Sequence, residues 1–568
     1  MVGMGAEVLG WLWQWRSLLP SLLLLGCLFT ALKVVNVLWW KPRRLEEHFA
    51  RQGIKGPPYR FFLGNVREMV GLMLEASSKP MVPPYSHNIL PRVLSFYHHW
   101  KKIYGSTFLL WFGPTARLTV ADPDLIREIF VSRSQFFDRY ESHPLVRQLE
   151  GEGLVSLRGE KWAHHRKVIT PTFHMENLKL LIPHIGESVV EMLEKWESTS
   201  TSGEVEVDVS EWFQSLTEEA ITRAAFGQSY EDGKAVFRLQ AQQMTFAAEA
   251  FRNVLIPGYR FLPTKRNTNS WKLDKEVRRL LVRLIGARKE RAAGGAEGEG
   301  SKPGAKDMLG LLINASSGAG KKAPPAAAAA EQRGPEGPTA ITLHDIVEEC
   351  KTFFFAGKQT TSNMLTWATV LLAMHPEWQD LARLEVLRLC GSRDAPTRDH
   401  LSKLKTLGMI LNETLRLYPP AVATIRRAKE DVELGGCHVP RGTELLIPIM
   451  AVHHDARLWG QDAAHFNPGR FADGVARAAR HPTCFIPFGL GARTCIGQNL
   501  ALLEAKLTLA ILLQRFSFRL SPSYVHAPTV LMLLYPQYGA PVIFRPLSQA
   551  QQIPTPPAHP LSSPPPSS

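Results

Sequence analysis

The sequence predicts a mainly α-helical fold with a small β-rich subdomain, standing behind one N-terminal transmembrane helix. Three observations predict it. An apolar run bracketed by tryptophans lies near the N-terminus, helical periodicity broken by loops fills the chain from about Pro57 to Leu547, and short strand-like runs appear beyond Pro420. With 568 residues, 45% of them hydrophobic and 21% charged, the chain is long enough to bury a sizeable core.

The apolar run, Leu18 to Leu38, would span roughly 31 Å as a helix, about the thickness of a bilayer core. Trp11, Trp13 and Trp15 precede it and Trp39 and Trp40 follow it, as interfacial belts do. Lys33 can snorkel to the nearer interface. A cleaved signal peptide has a shorter apolar region and a small-residue cleavage site, and a core helix would not carry flanking tryptophans and a basic patch. Arg16 stands before the run and Lys41, Arg43 and Arg44 after it, so the excess of positive charge assigns the downstream chain to the cytosol. The expected organisation is a short lumenal N-terminus (1–17), the anchor (18–40), a basic linker with a Pro-rich hinge at Gly56-Pro57-Pro58 (41–58), one body (59–547) and a disordered Pro/Ser-rich tail (548–568). Within the body, 292–340 is rich in Gly, Ala, Lys and Pro and reads as a mobile surface insertion with an apolar island at Met308 to Ile313.

The net charge of +14 gives a basic surface, but no finger spacing or basic-aromatic cluster supports nucleic acid. Membrane lipid and an acidic protein partner fit better. Six scattered cysteines (27, 350, 390, 437, 484 and 495) form no Cys-x-x-Cys pair, which argues against zinc ribbons, thioredoxin-like sites and a disulfide framework.

In the body, the strongest helix runs from Thr342 to about His375, opened by the capping box Thr342/Asp345 and closed by Pro376. Gly357 in its middle is costly unless something approaches the backbone there. A second helix covers Leu401 to Leu417, with leucines 404, 407, 411 and 415 at core spacing. Glu444 to Ile449 and Val542 to Phe544 read as strands. Asn499 to Leu512 reads as a helix directly after the most informative loop.

That loop is Phe488-Gly489-Leu490-Gly491-Ala492-Arg493-Thr494-Cys495-Ile496-Gly497. A thiolate ligand to haem iron needs a low pKa, little water and a backbone that passes close to the porphyrin. Gly491 and Gly497 permit the turn and the approach, Phe488 can shield the sulfur, Arg493 can pair with a propionate, and the following helix N-terminus favours negative charge. A lone buried Cys in a glycine-rich turn is the ordinary alternative. Here Phe-x-x-Gly-x-Arg-x-Cys-x-Gly is satisfied at every position, and the loop resembles the haem-binding loop of the cytochrome P450 family.

The resemblance extends over nearly the whole chain after the anchor and implies the cytochrome P450 fold, haem b with Cys495 as axial ligand, O2 as co-substrate, and NADPH used through an NADPH–cytochrome P450 reductase. It implies that Glu413 and Arg416 form a buried pair joined by Arg470 from Phe466-Asn467-Pro468-Gly469-Arg470-Phe471. It also implies that Trp162, Arg166 and Arg426 hold propionates, with Arg427 a rival for Arg426. Ala356-Gly357-Lys358-Gln359-Thr360-Thr361 resembles the oxygen-activating helix. There Gly357 would let the helix bulge, and Thr360 would help deliver protons. Gln359 departs from the acid usual in the family, which puts the proton relay's details in question.

Segments 353–363, 486–491 and 529–536 resemble the plant enzymes that inactivate brassinosteroids, which implies C-26 hydroxylation of a steroid by a single-pass protein of the endoplasmic reticulum membrane. The pocket is expected to be lined by Phe353, Phe354, Val422, Ala423, Thr424, Val530 and Leu531, apolar residues that suit a sterol or an acyl chain. The alternatives are a fatty-acid or other terpenoid hydroxylase on the same fold, and a haem-binding protein without turnover.

Overall fold

The computed structural model describes residues 21–83, 85–199, 203–226, 230–250, 262–293, 307–318 and 341–547. Residues 1–20, most of 292–340 and the tail from 548 lie outside the described residues, and so do the expectations for the lumenal N-terminus and the tail.

The helices that place the site are α1 (Ser21–Arg51), α2 (Pro144–Glu150), α3 (Gly159–Ile169), α4 (Val209–Phe226), α5 (Tyr230–Ala250), α6 (Lys265–Ala293), α7 (Met308–Gly318), α8 (Leu343–Met374), α9 (Pro376–Cys390), α10 (Lys405–Leu417) and α11 (Gln498–Arg515). Five strands, β1 (Leu109–Phe112), β2 (Thr115–Thr119), β3 (Phe137–Arg139), β4 (Thr424–Ala428) and β5 (Glu444–Ile447), form a sheet in the order β1-β2-β5-β4-β3. Only β2 and β5 pair in parallel. The larger core lies among the helices around α8, and a second core lies on this sheet through Trp111, Leu118, Leu445 and Ile447. The mainly helical class with a small β portion is therefore as the sequence predicts.

Among the described residues α1 is the one helix long and apolar enough to cross a membrane, and no residue of its most apolar window is buried. It does not stop at the basic patch. After a π-helical turn at Asn36–Trp40 it runs on to Arg51, with Phe49 fully buried on the sheet. Pro42 has no N–H for the Leu38 carbonyl four residues back, and the Tyr59 hydroxyl donates to that carbonyl at 2.5 Å. The Pro-rich segment is docked rather than hinged: Leu109 N–H donates to the Lys55 carbonyl at 3.1 Å, and Pro57 and Tyr59 are buried.

The apolar island at Met308 is not a surface feature. Asp307 accepts the Gly310 N–H at 2.8 Å and opens α7, which buries Met308, Leu309 and Leu312 completely. The helix expected over 401–417 breaks at Leu404, and Arg398–Lys403 is separate from α10. Glu385 on α9 is the cause: its carboxylate accepts the N–H groups of Lys405, Thr406 and Leu407 at 2.9, 2.8 and 3.1 Å. The strand expected to reach Ile449 ends at Ile447, and Ile449 begins a short helix instead.

Candidate active site

Cys495 follows a single 3-10 turn, Gly491–Arg493, and its N–H closes the loop on the Phe488 carbonyl at 2.9 Å. Gly491 has φ +70°, and a Cβ there would collide with the Phe130 carbonyl, so both the turn and the approach require glycine. At Gly497 φ is −87° and the nearest atom to a Cβ would be the Phe173 ring at 3.9 Å, so no part of the chain itself demands glycine there. Phe488 is half-buried against the main core.

The Cys495 sulfur is accessible, yet the residue is deep in the molecule, so it borders an interior space and not the outer surface. Burial pushes its thiol up, offset in part by the Gly497 N–H, the Arg166 charge and the Gln498 N–H. The sequence led us to expect a low pKa from the helix N-terminus. Burial outweighs that effect, and a metal cation is what would complete the thiolate.

Around this space stand three arginines. Arg166 sits one turn after Trp162 on α3, Arg493 lies with its guanidinium 4.5 Å from the Trp162 ring centroid, and Arg426 lies 4.4 Å from that of Phe130. Among the described residues none of the three has a carboxylate within ion-pair distance. Arg493 donates to the Leu157 carbonyl at 2.8 Å, and Arg426 to Thr424 Oγ1 and the Ile425 carbonyl. Burial, then the charges of Arg139 and Arg493, pull Arg426 down to about 10. Arg427 is turned to the other face of β4, beside Gly442. Half-buried cations without counter-ions, next to an interior cysteine and aromatic rings, fit a flat dianionic ligand with a soft metal, as haem is.

Glu413 and Arg416 behave oppositely. Both are fully buried, Arg416 Nε and Nη2 each lie 2.7 Å from a Glu413 oxygen, and Arg416 also donates to the carbonyls of His453, Ala463 and His465. Glu413 accepts the Asn467 N–H at 3.0 Å. Arg470 joins the pair at 3.7 Å, but its strong partner is Asp462 at 2.7 Å.

On α8 the capping box forms as expected. The helix is buried over 345–354 and 361–372, and between these stretches Phe355 to Thr360 are half-buried. It stays regular throughout, without the bulge expected at Gly357. Gly357 instead admits α4: a Cβ would collide with Ile221. At rest the Thr360 hydroxyl donates to the Ala356 carbonyl at 2.8 Å.

The expected pocket residues divide. Phe353 is buried and stacks on Phe173, the ring nearest Gly497, at 5.5 Å. Phe354 points to α4 and α5, stacked on Phe226 at 4.8 Å and edge-on to Phe237 at 4.5 Å. Both are core. Val422 is buried, Ala423 and Thr424 lead into β4 beside Arg426, and Val530 and Leu531 are half-buried at the Pro528–Val530/Leu534–Pro536 hairpin.

A separate apolar cluster joins Val146 and Leu149 of α2, Met244 and Ala247 of α5, Phe355 of α8 and Met532 of the hairpin. A cavity beside it is lined in part by Leu149, Met244, Phe355 and three glutamines, 214, 240 and 359. Phe354, expected in the pocket, lines this cavity too, as does Gln359; the sequence did not point to the others, and its signal at Leu531 fell one position from Met532 of the cluster.

A family model for cytochrome P450 matches residues 88–540. Cytochrome P450 734A6 of Oryza sativa subsp. japonica is 68% identical over 550 residues, 96% of this chain and 98% of that one. Cytochrome P450 734A1 of Arabidopsis thaliana is 65% identical over 533 residues, 93% and 98% of the two chains. Secologanin synthase 2 of Catharanthus roseus is 39% identical over 521 residues, 91% and 95%.

Proposed function

The chain belongs to the cytochrome P450 family, and on that premise we propose that it hydroxylates a steroid side chain at C-26, the reaction that inactivates brassinosteroids. Membership makes it a haem-thiolate monooxygenase that uses O2 and reductase-supplied electrons. When bound, the haem supplies activation of dioxygen and insertion of one oxygen atom into an unactivated C–H bond. Cys495 would hold its iron, and Trp162, Arg166, Arg426 and Arg493 its carboxylates.

The observation that carries the substrate class is the apolar cluster of Val146, Leu149, Met244, Ala247, Phe355 and Met532, drawn from four elements and set beside the Thr360 turn. Such a wall excludes water and orients an uncharged hydrocarbon skeleton. Lys358, which lines the adjoining cavity, is already paired with Glu218, which favours a neutral sterol over a fatty-acid carboxylate. The Thr360 hydroxyl, released from the Ala356 carbonyl, would pass protons toward the reacting oxygen. α1 would anchor the domain on the cytosolic side of the endoplasmic reticulum membrane, where the basic surface meets an acidic reductase.

The test incubates membranes holding this protein, NADPH and plant reductase with a brassinosteroid or a long-chain fatty acid, and reads products by mass spectrometry. A steroid monohydroxylated at the terminal side-chain carbon is expected. Oxidised fatty acid with untouched steroid would replace the substrate assignment.

A further inference from the structure

Glu349 of α8 is fully buried, and each of its two carboxylate oxygens holds a different segment. Oε2 accepts the Leu154 N–H at 2.8 Å, and Oε1 accepts Nδ1–H of His165 on α3 at 2.6 Å. His165 is buried too, and among the described residues its Nε2 has no hydrogen-bond partner, so Glu349 alone orients the ring. The close approach is built into the loop between α2 and α3. A Cβ at Gly153 would collide with Oε2 and Cα of Glu349, and one at Gly151 with the Glu348 carbonyl. Glu348 accepts the Glu152 N–H at 2.8 Å, and Thr352 donates to the Glu150 carbonyl at 2.7 Å. The chain from 150 to 154 is thus tied along one turn of α8.

What these contacts hold is the cationic side of the site. His165 directly precedes Arg166 and follows Trp162 by three residues, so a ring fixed against α8 sets both the rotation and the height of α3. Leu154 stands three residues before Leu157, whose carbonyl accepts from Arg493 at 2.8 Å. One carboxylate therefore reaches the helix that carries Trp162 and Arg166 and the loop that holds Arg493. Glu349 precedes Thr360 by eleven residues, about three turns and 20°, so the two share a face of α8. Phe353, one turn after Glu349, stacks on Phe173 between them.

We propose that Glu349 and His165 are positioning residues for haem: through this pair α8 fixes where Trp162, Arg166 and Arg493 present themselves to the haem carboxylates. A buried polar pair gains little stability over apolar side chains of the same volume, whereas its hydrogen bond selects one register of α3 against α8. The inference rests on the assignment of those three residues to the haem carboxylates and adds the pair that aims them.

The test follows transfer of ferric haem from the loaded full chain, in membranes, to excess apomyoglobin. Arg166→Leu should release haem about tenfold faster than the wild type, for the loss of one charge-assisted bond. His165→Leu offers no donor to Glu349 and should release it about fivefold faster. His165→Asn, whose amide nitrogen can stand where Nδ1 does, should stay within about twofold of the wild type. In the Arg166→Leu background His165→Leu should add less than about twofold, because its effect runs through α3. Should His165→Leu yield too little folded protein, Glu349→Gln carries the same cycle: its amide oxygen still accepts the Leu154 N–H, while the oxygen facing His165 is gone. About threefold faster release is expected of it, again absorbed by Arg166→Leu. Wild-type release from these variants, equal release from His165→Leu and His165→Asn, or an effect undiminished in the Arg166→Leu background overturns the positioning role and makes the pair plain scaffold. Wild-type release from Arg166→Leu itself overturns the assignment of Arg166 to the haem, and the inference with it.

Discussion

Two sets of buried arginines sit on opposite sides of the same problem. Arg416 is fully buried and satisfied by Glu413 and three backbone carbonyls. Arg166, Arg426 and Arg493 are half-buried, lie close enough for Arg493 to repel both of the others, and have no carboxylate within ion-pair distance among the described residues, though Asp138 acts on Arg493 from further off. A buried cation that the chain itself neutralises is scaffold, while one left to burial and like charge is held for a ligand. The same residue type thus carries stability in one place and, on the function proposed above, binding in the other.

The largest expected effect breaks the scaffold side. Glu413→Ala leaves Arg416 charged and unpaired at full burial, which costs about 3–5 kcal/mol. Little folded protein should be recovered, and an unchanged melting temperature would count against the pairing as a scaffold. Arg426→Leu should act in the reverse sense. The haem-free chain should be no less stable and should gain on the order of 2 kcal/mol, because a cation pulled down by burial has gone. Haem content per chain should fall. Loss of stability together with full haem content would erase the distinction between the two sets.

A graded effect, small per pH unit for any one group, lies in pH. His453 and His454 flank Arg416, and burial first, with neighbouring positive charge, holds both at about 3. His453 Nε2 accepts the Ile486 N–H at 3.1 Å, which a protonated ring could not do. His87 at about 3 and His526 at about 4 are depressed by burial too. Unfolded histidines take up protons below about pH 6.5 while these do not. Stability should therefore be complete above that pH and fall as pH drops from there toward 4, by on the order of 1 kcal/mol per pH unit for each histidine. Urea midpoints at neutral and mildly acid pH check this; identical midpoints would contradict it. The smallest effect tests α8: Gly357→Ala should cost about 1–3 kcal/mol through Ile221, read from urea unfolding of the haem-free chain.

Much of the site was legible because its signals are local. The Cys495 loop, Trp162 and Arg166 one turn apart, and Glu413 and Arg416 at i, i+3 are short-range patterns; in the structure Glu413 pairs with Arg416, and Arg493 of the loop lies over Trp162. Arg426 against Arg427 was open from sequence, and strand alternation puts the two on opposite faces of β4, Arg426 beside Phe130 and Arg427 beside Gly442. The substrate wall was not legible. Phe353 shares composition with Phe354 and Phe355, and only the packing of α2, α4, α5 and the hairpin around α8 shows that the latter two open on a cavity and that Phe355 joins the apolar cluster.

By itself the sequence determined the anchor run, the start and stop of α8 and the turn that carries Cys495, because caps, apolar spacing and glycine φ angles act within a few residues. Tertiary structure alone decided the rest. Glu385, twenty residues away, broke the helix expected across Leu404 by accepting three of its N–H groups. The core claimed Met308 from a low-complexity stretch, and α4 claimed the glycine of α8. In each case the deciding partner lies on another element, and short-range spacing carries no record of what a distant segment will bring into contact.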